Sequence, residues 1–126
     1  MSLRTPIARA KGLGSAKEGV SHWWAQRVTA VALVPLTLWF VVSVIGLAGA
    51  DHAAVVSWLS SPLRAALAVL FLVVLFHHAN LGLQVVIEDY VHHEGSKTAA
   101  LLLVTFAIYL SAATAVIAVL KIAFGG

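Results

Sequence analysis

Three long apolar runs, Val28–Ala50, Leu63–Tyr90 and Ala99–Phe124, leave little of the chain over for anything else. Each meets or exceeds the ~20 residues that carry a helix across ~30 Å of hydrocarbon. Hydrocarbon offers backbone amides no partners, so a spanning segment must close its own hydrogen bonds, and runs of this length suit helices rather than barrel strands. The sequence therefore predicts an all-α membrane protein with three transmembrane helices, about 28–50, 63–90 and 99–124, in a domain over 21–126. With 61% of 126 residues apolar and 10% charged, no separate soluble domain is expected.

Residues 1–20 contain Pro6, Gly12, Gly14, Gly19 and scattered charges without sustained apolar periodicity, and read as an extended N-terminal arm. Ser21 is a candidate cap for a helix opening with His22-Trp23-Trp24, whose indoles suit the headgroup level. Arg4, Arg9, Lys11, Lys17 and Arg27 all precede the first span, which puts the N-terminus on the cytoplasmic side. Three crossings then place 51–62 and the C-terminus outside, and 91–97 inside, in a multi-pass protein of the inner (cytoplasmic) membrane. The basic arm suits lipid headgroups; nothing in it points to nucleic acid. Ala48-Gly49-Ala50 resembles a signal-peptide cleavage site, but about 20 apolar residues before it exceed the 7 to 15 of a signal core, so an uncleaved span is expected. Pro35 lies inside that span. Asp51–Ser60 reads as a short interfacial connection and Ser61-Pro62 as the second helix start. Ser96 or Lys97 opens the third helix, in which Ser111–Thr114 offers small residues for close packing.

The absence of cysteine excludes disulfides, thiolate metal sites and covalent attachment of haem through Cys-x-x-Cys-His. Any haem must be held through histidine. His78 lies well inside the second run, where an ionisable ring is a functional-site hypothesis by default. At about 100° per residue, Val74, Gly82, Val85 and Asp89 share its face, and Asp89 lies about 16 Å further along the helix. Gly82, one turn on, removes the side chain that would block a flat macrocycle from approaching the ring. The alternative is that Gly82 admits another helix and His78 donates a hydrogen bond across it. His77 is the competing ligand, turned about 100° away with Leu81 one turn on.

Antiparallel packing predicts that Arg27, at the start of the first span, lies level with Asp89 and Tyr90 at the end of the second. Its guanidinium suits a carboxylate such as a haem propionate, or simply snorkels to the interface. His22 is near enough to assist a propionate. Tyr90 could donate to a quinone carbonyl, with Asp89 orienting it or relaying a proton, or could be a belt tyrosine. His92 and His93 are expected to be solvated in the inside loop, and His52 in the outside loop.

Arg27-Val-Thr-Ala30, followed by His78-x-x-x-Gly82 and Asp89-Tyr90, resembles the small hydrophobic membrane-anchor subunits of succinate dehydrogenase, of the cytochrome b556 type. The likeness covers all three spans in order and length. It implies a haem b shared with a second three-helix cytochrome b anchor subunit, each supplying one axial histidine to the iron. It also implies a flavoprotein subunit and an iron-sulfur subunit on the cytoplasmic face, with ubiquinone reduced where the anchors meet the latter. On this resemblance His78 is the axial ligand, Arg27 a propionate partner, Tyr90 the quinone donor and Asp89 its neighbour. The adjacent His77 and the extra acid Glu88 depart from the simple pattern. Two rival readings stand beside this one: a haem-free structural anchor of a related oxidoreductase such as a fumarate reductase, and a small proton-coupled transporter. The transporter reading lacks the mid-span carboxylate it needs.

Overall fold

The computed structural model describes residues 13–125. Its described residues form four helices: α1 (Leu13–Gly46), α2 (His52–Leu59), α3 (Pro62–Tyr90) and α4 (Glu94–Ala123). Three are long and apolar enough to cross a membrane, over Gly19–Gly46, Pro62–Tyr90 and Glu94–Ala123, which is the predicted all-α, three-span architecture.

The first helix differs from expectation at its start. Ser21 caps nothing; the helix runs through it back to Leu13, so 13–20 is not extended, while 1–12 lies outside the described residues. Once a helix is nucleated, adding a residue costs little, and Ala16, Lys17 and Glu18 are good formers that offset the ~1 kcal/mol each of Gly14 and Gly19. Pro35 is accommodated within the continuous helix.

The interfacial connection is the short helix α2. The Asp51 carboxylate caps it by accepting from the Ala54 N–H at 2.9 Å. Trp58 of α2 stacks on Trp39 of α1, with centroids 5.8 Å apart, and the Arg64 guanidinium lies 5.2 Å from the Trp58 ring. This closes one end of the molecule. Ser61 and Pro62 open α3 as predicted, although the Ser61 side chain makes no capping bond.

At the α3–α4 corner the helix starts two residues before Ser96, and His93 is its cap rather than a free loop side chain. Its Nδ1 accepts from the Ser96 N–H at 3.2 Å. Gly95 leaves room for the ring: a Cβ there would sit 3.1 Å from His93 Cε1. An N-cap bond is worth about 1 kcal/mol. His93→Ala should therefore speed hydrogen exchange at the Ser96 amide by about fivefold while leaving mid-span amides unchanged. Exchange equal to that of the wild type would show that the cap contributes nothing.

The arrangement is a layer rather than a closed bundle. α3 packs on α1 along one side and on α4 along the other; among the described residues the backbones of α1 and α4 do not come close. Burial is accordingly sparse. Among the described residues, Leu36, Leu59, Phe71 and Leu81 are the buried apolar ones, Thr29 and Asn80 the buried polar ones, and no side chain is fully buried. In lipid this is no defect, because tails are as apolar as leucine and helix association rests on packing and polar contacts instead.

Candidate functional site

His78 is half-buried on the α1 side of α3. Its Nδ1 lies 2.9 Å from the Thr29 hydroxyl, which is itself 9% exposed. The same hydroxyl is 2.7 Å from the Ala25 carbonyl and 3.1 Å from that of Gln26. A hydroxyl carries one hydrogen: placed on the nearer carbonyl, it leaves the oxygen to accept from an Nδ1–H tautomer of His78. The hydrogen bond that the bland reading of His78 anticipates is thus present, but it engages one ring nitrogen. With the proton on Nδ1, Nε2 of a neutral ring carries a free lone pair.

The ring borders an open groove on the face of α1 made by Ala30, Leu33, Val34, Thr37 and Leu38. Gly82 leaves open space one turn along: a Cβ built there meets no heavy atom within 4 Å. None of the described residues fills that space, so the glycine does not serve packing inside the described fold.

His77 points elsewhere. It is exposed and lines a second groove, between α3 and α4, with Asn80, Tyr109, Ala112 and Ala113. Ala112 and Ala113 are the part of the predicted small-residue surface that faces α3. Asn80 is 5% exposed and its Oδ1 has no partner among the described residues. The two histidines therefore belong to two sides of one helix, facing different neighbours.

Two pairs fix the register of α1 against α3: Thr29 with His78, and Phe40 with Phe71, whose rings stack at 4.7 Å. Counting outward from these two pairs, Arg27 lies between the levels of Asn80 and Gln84, while Asp89 and Tyr90 lie opposite residues 17–22. The expectation that Arg27 shares the depth of Asp89 and Tyr90 is corrected by about 8 to 14 Å. The reason is the length of α1, which places its beginning well before Arg27. The Arg27 guanidinium lies 5.0 Å from the Trp23 ring, a cation–π contact directed toward the N-terminal end of α1. His22 is half-buried, seven residues before Thr29 and so on nearly the same face, between the His78 level and the α3 terminus. Asp89 and Tyr90 are exposed at that terminus, Tyr90 at 78%. His92 is exposed, as expected, and so is His52, the first residue of α2.

The structure thus joins His78 to Thr29, sets Arg27 and His22 on the N-terminal side of that pair, and leaves Asp89 and Tyr90 separate at the helix end. No group of three or more histidine, aspartate or glutamate side chains able to hold a metal ion occurs among the described residues. Sequence reasoning missed Thr29, for which a polar residue seven positions after His22 was the available signal. It also missed Asn80, which sits two residues from His78.

Residues 1–119 match the family model described as succinate dehydrogenase/fumarate reductase transmembrane subunit. A succinate dehydrogenase hydrophobic membrane anchor subunit of Rickettsia bellii is 38% identical over 88 residues, covering 70% of each chain. The corresponding subunit of Paracoccus denitrificans is 36% identical over 102 residues, 81% of this chain and 79% of that one. A succinate dehydrogenase membrane anchor subunit of Reclinomonas americana is 32% identical over 91 residues, 70% of this chain and 76% of its own. No solved structure matches. Three membrane-spanning helices in family order, matched along nearly their whole length, establish that the chain belongs to the succinate dehydrogenase/fumarate reductase transmembrane subunit family, as a hydrophobic membrane anchor.

Proposed function

We propose that this anchor helps to hold a haem b and forms part of a ubiquinone-reduction site, passing on electrons released by succinate oxidation. The observation that carries the proposal is His78, whose Nδ1 is engaged by Thr29 while its ring borders the groove along Ala30, Leu33 and Thr37. A haem of this type asks its ligand chain for one uncommitted imidazole nitrogen and an unobstructed approach. His78 and the open space at Gly82 meet both requirements. Iron in a bound haem would supply one-electron redox capacity, its potential tuned by the axial ligand and local polarity.

The chain's own residues do the remainder. Arg27 and His22, on the N-terminal side of the His78 level, are the groups to receive the propionates, the guanidinium by charge-assisted hydrogen bonds. Tyr90 donates its hydroxyl proton in a hydrogen bond to a quinone carbonyl, and Asp89 beside it orients that hydroxyl or relays a proton. In this reading the N-terminus is cytoplasmic, and an iron-sulfur subunit with its flavoprotein subunit docks on that side of the inner membrane. A second cytochrome b anchor subunit would cover the His78 face and supply a further histidine to hold the haem. The chain has no nucleotide motif and no cluster ligands, so oxidation of succinate belongs to its partners.

The test is an optical spectrum of the complex isolated through a tag on this chain. Flavin, iron-sulfur centres and a b-type band on reduction are expected together, with about one haem per complex. The Thr29–His78 bond alone would also suit a haem-free anchor, and the same spectrum separates the two: every subunit present and no protohaem would overturn the haem assignment.

A further inference from the structure

We propose that Thr29 is a positioning residue for the iron ligand: its hydroxyl fixes His78 as the Nδ1–H tautomer and aims Nε2 into the groove. This rests on the reading of His78 as the haem ligand.

The argument begins on α1 alone. Thr29 Oγ1 donates back to the carbonyl four residues earlier at 2.7 Å, with the Gln26 carbonyl at 3.1 Å. That pair of acceptors holds the threonine in one side-chain rotamer. It consumes the only hydroxyl hydrogen and leaves the oxygen lone pairs facing α3. His78 Nδ1 arrives there at 2.9 Å. With the hydroxyl hydrogen on the Ala25 carbonyl, the oxygen accepts and the imidazole donates, so that the tautomer is set from α1 rather than by the histidine's own helix. A buried threonine is well suited to this work, since water does not compete for the bond.

Histidines that ligate metals generally donate their second ring N–H to a fixed acceptor, which orients the ring and raises the basicity of the ligating nitrogen. More electron density at Nε2 favours ferric over ferrous iron. Thr29 should therefore lower the haem potential as well as hold the ring, an effect that a purely structural contact would not produce.

The experiment compares the intact complex carrying Thr29→Val, which keeps the branched shape without the hydroxyl, with Thr29→Ser, which keeps the hydroxyl. The valine variant should hold haem about 10- to 100-fold less tightly, and what remains should have a raised midpoint potential and altered low-spin EPR g-values. The serine variant should return all three to the wild-type values. A valine variant with wild-type potential, g-values and haem retention would overturn the proposal while leaving the haem reading intact. A wild-type complex without b-type haem would remove the haem reading, and the proposal with it. A structure of the haem-loaded wild-type complex gives a measurement that needs no variant to assemble. Iron on Nε2 with Nδ1 on Thr29 supports the assignment, and iron on Nδ1 or His77 overturns it.

Discussion

His78→Ala is expected to strip haem from the assembled complex, while His77→Ala is expected to retain it. The two rings are adjacent in sequence yet occupy different sides of α3: His78 bonds Thr29 on the α1 side, and His77 lines the groove toward α4. One iron cannot use both. Losing a partner in the outer shell of a metal site costs about 10- to 100-fold in affinity, so losing the ligand itself should cost more than about 100-fold. The measurement is the low-spin haem signal by EPR and the reduced-minus-oxidised optical spectrum of each purified variant. If the signal disappeared only with His77→Ala, the assignment would have to move to the α4 side of the helix.

Tyr90→Phe should lower succinate-to-quinone turnover by about a hundredfold, the scale on which a well-placed proton donor contributes to a reaction. Reduction of an artificial dye by succinate, which bypasses the quinone site, should stay at the wild-type rate. Tyr90 is 78% exposed at the end of α3, so the substitution disturbs no packing in this chain and the two rates separate chemistry from assembly. A phenylalanine variant that reduces quinone as fast as the wild type would reduce Tyr90 to an interfacial aromatic.

The three crossings were legible because length and apolarity suffice to define them in lipid. Facing was harder to read. In water an amphipathic stripe reveals which side of a helix is buried, but in hydrocarbon both the packed side and the lipid side are apolar, so Leu36, Phe71 and Leu81 look no different from their neighbours. What remains legible is the scarce polar residue. His78 stands out for that reason, and its spacing to Gly82 and Asp89 follows from helix geometry alone. The partner of His78 depends on the register of α1 against α3, which no pattern within either helix specifies. The same gap misplaced Arg27 relative to Asp89, because the extension of α1 back to Leu13 shifts the residue that sits opposite the α3 terminus. His93 escaped for a different reason: histidine is an uncommon helix cap, and the space that Gly95 leaves for its ring appears only in three dimensions.

That α1 and α4 lie apart on either flank of α3 bears on how the chain fares before it finds its companions. A newly inserted copy still without companions presents to bulk lipid both the imidazole edge beside Gly82 and the groove lined by the exposed His77, polar groups that hydrocarbon solvates poorly.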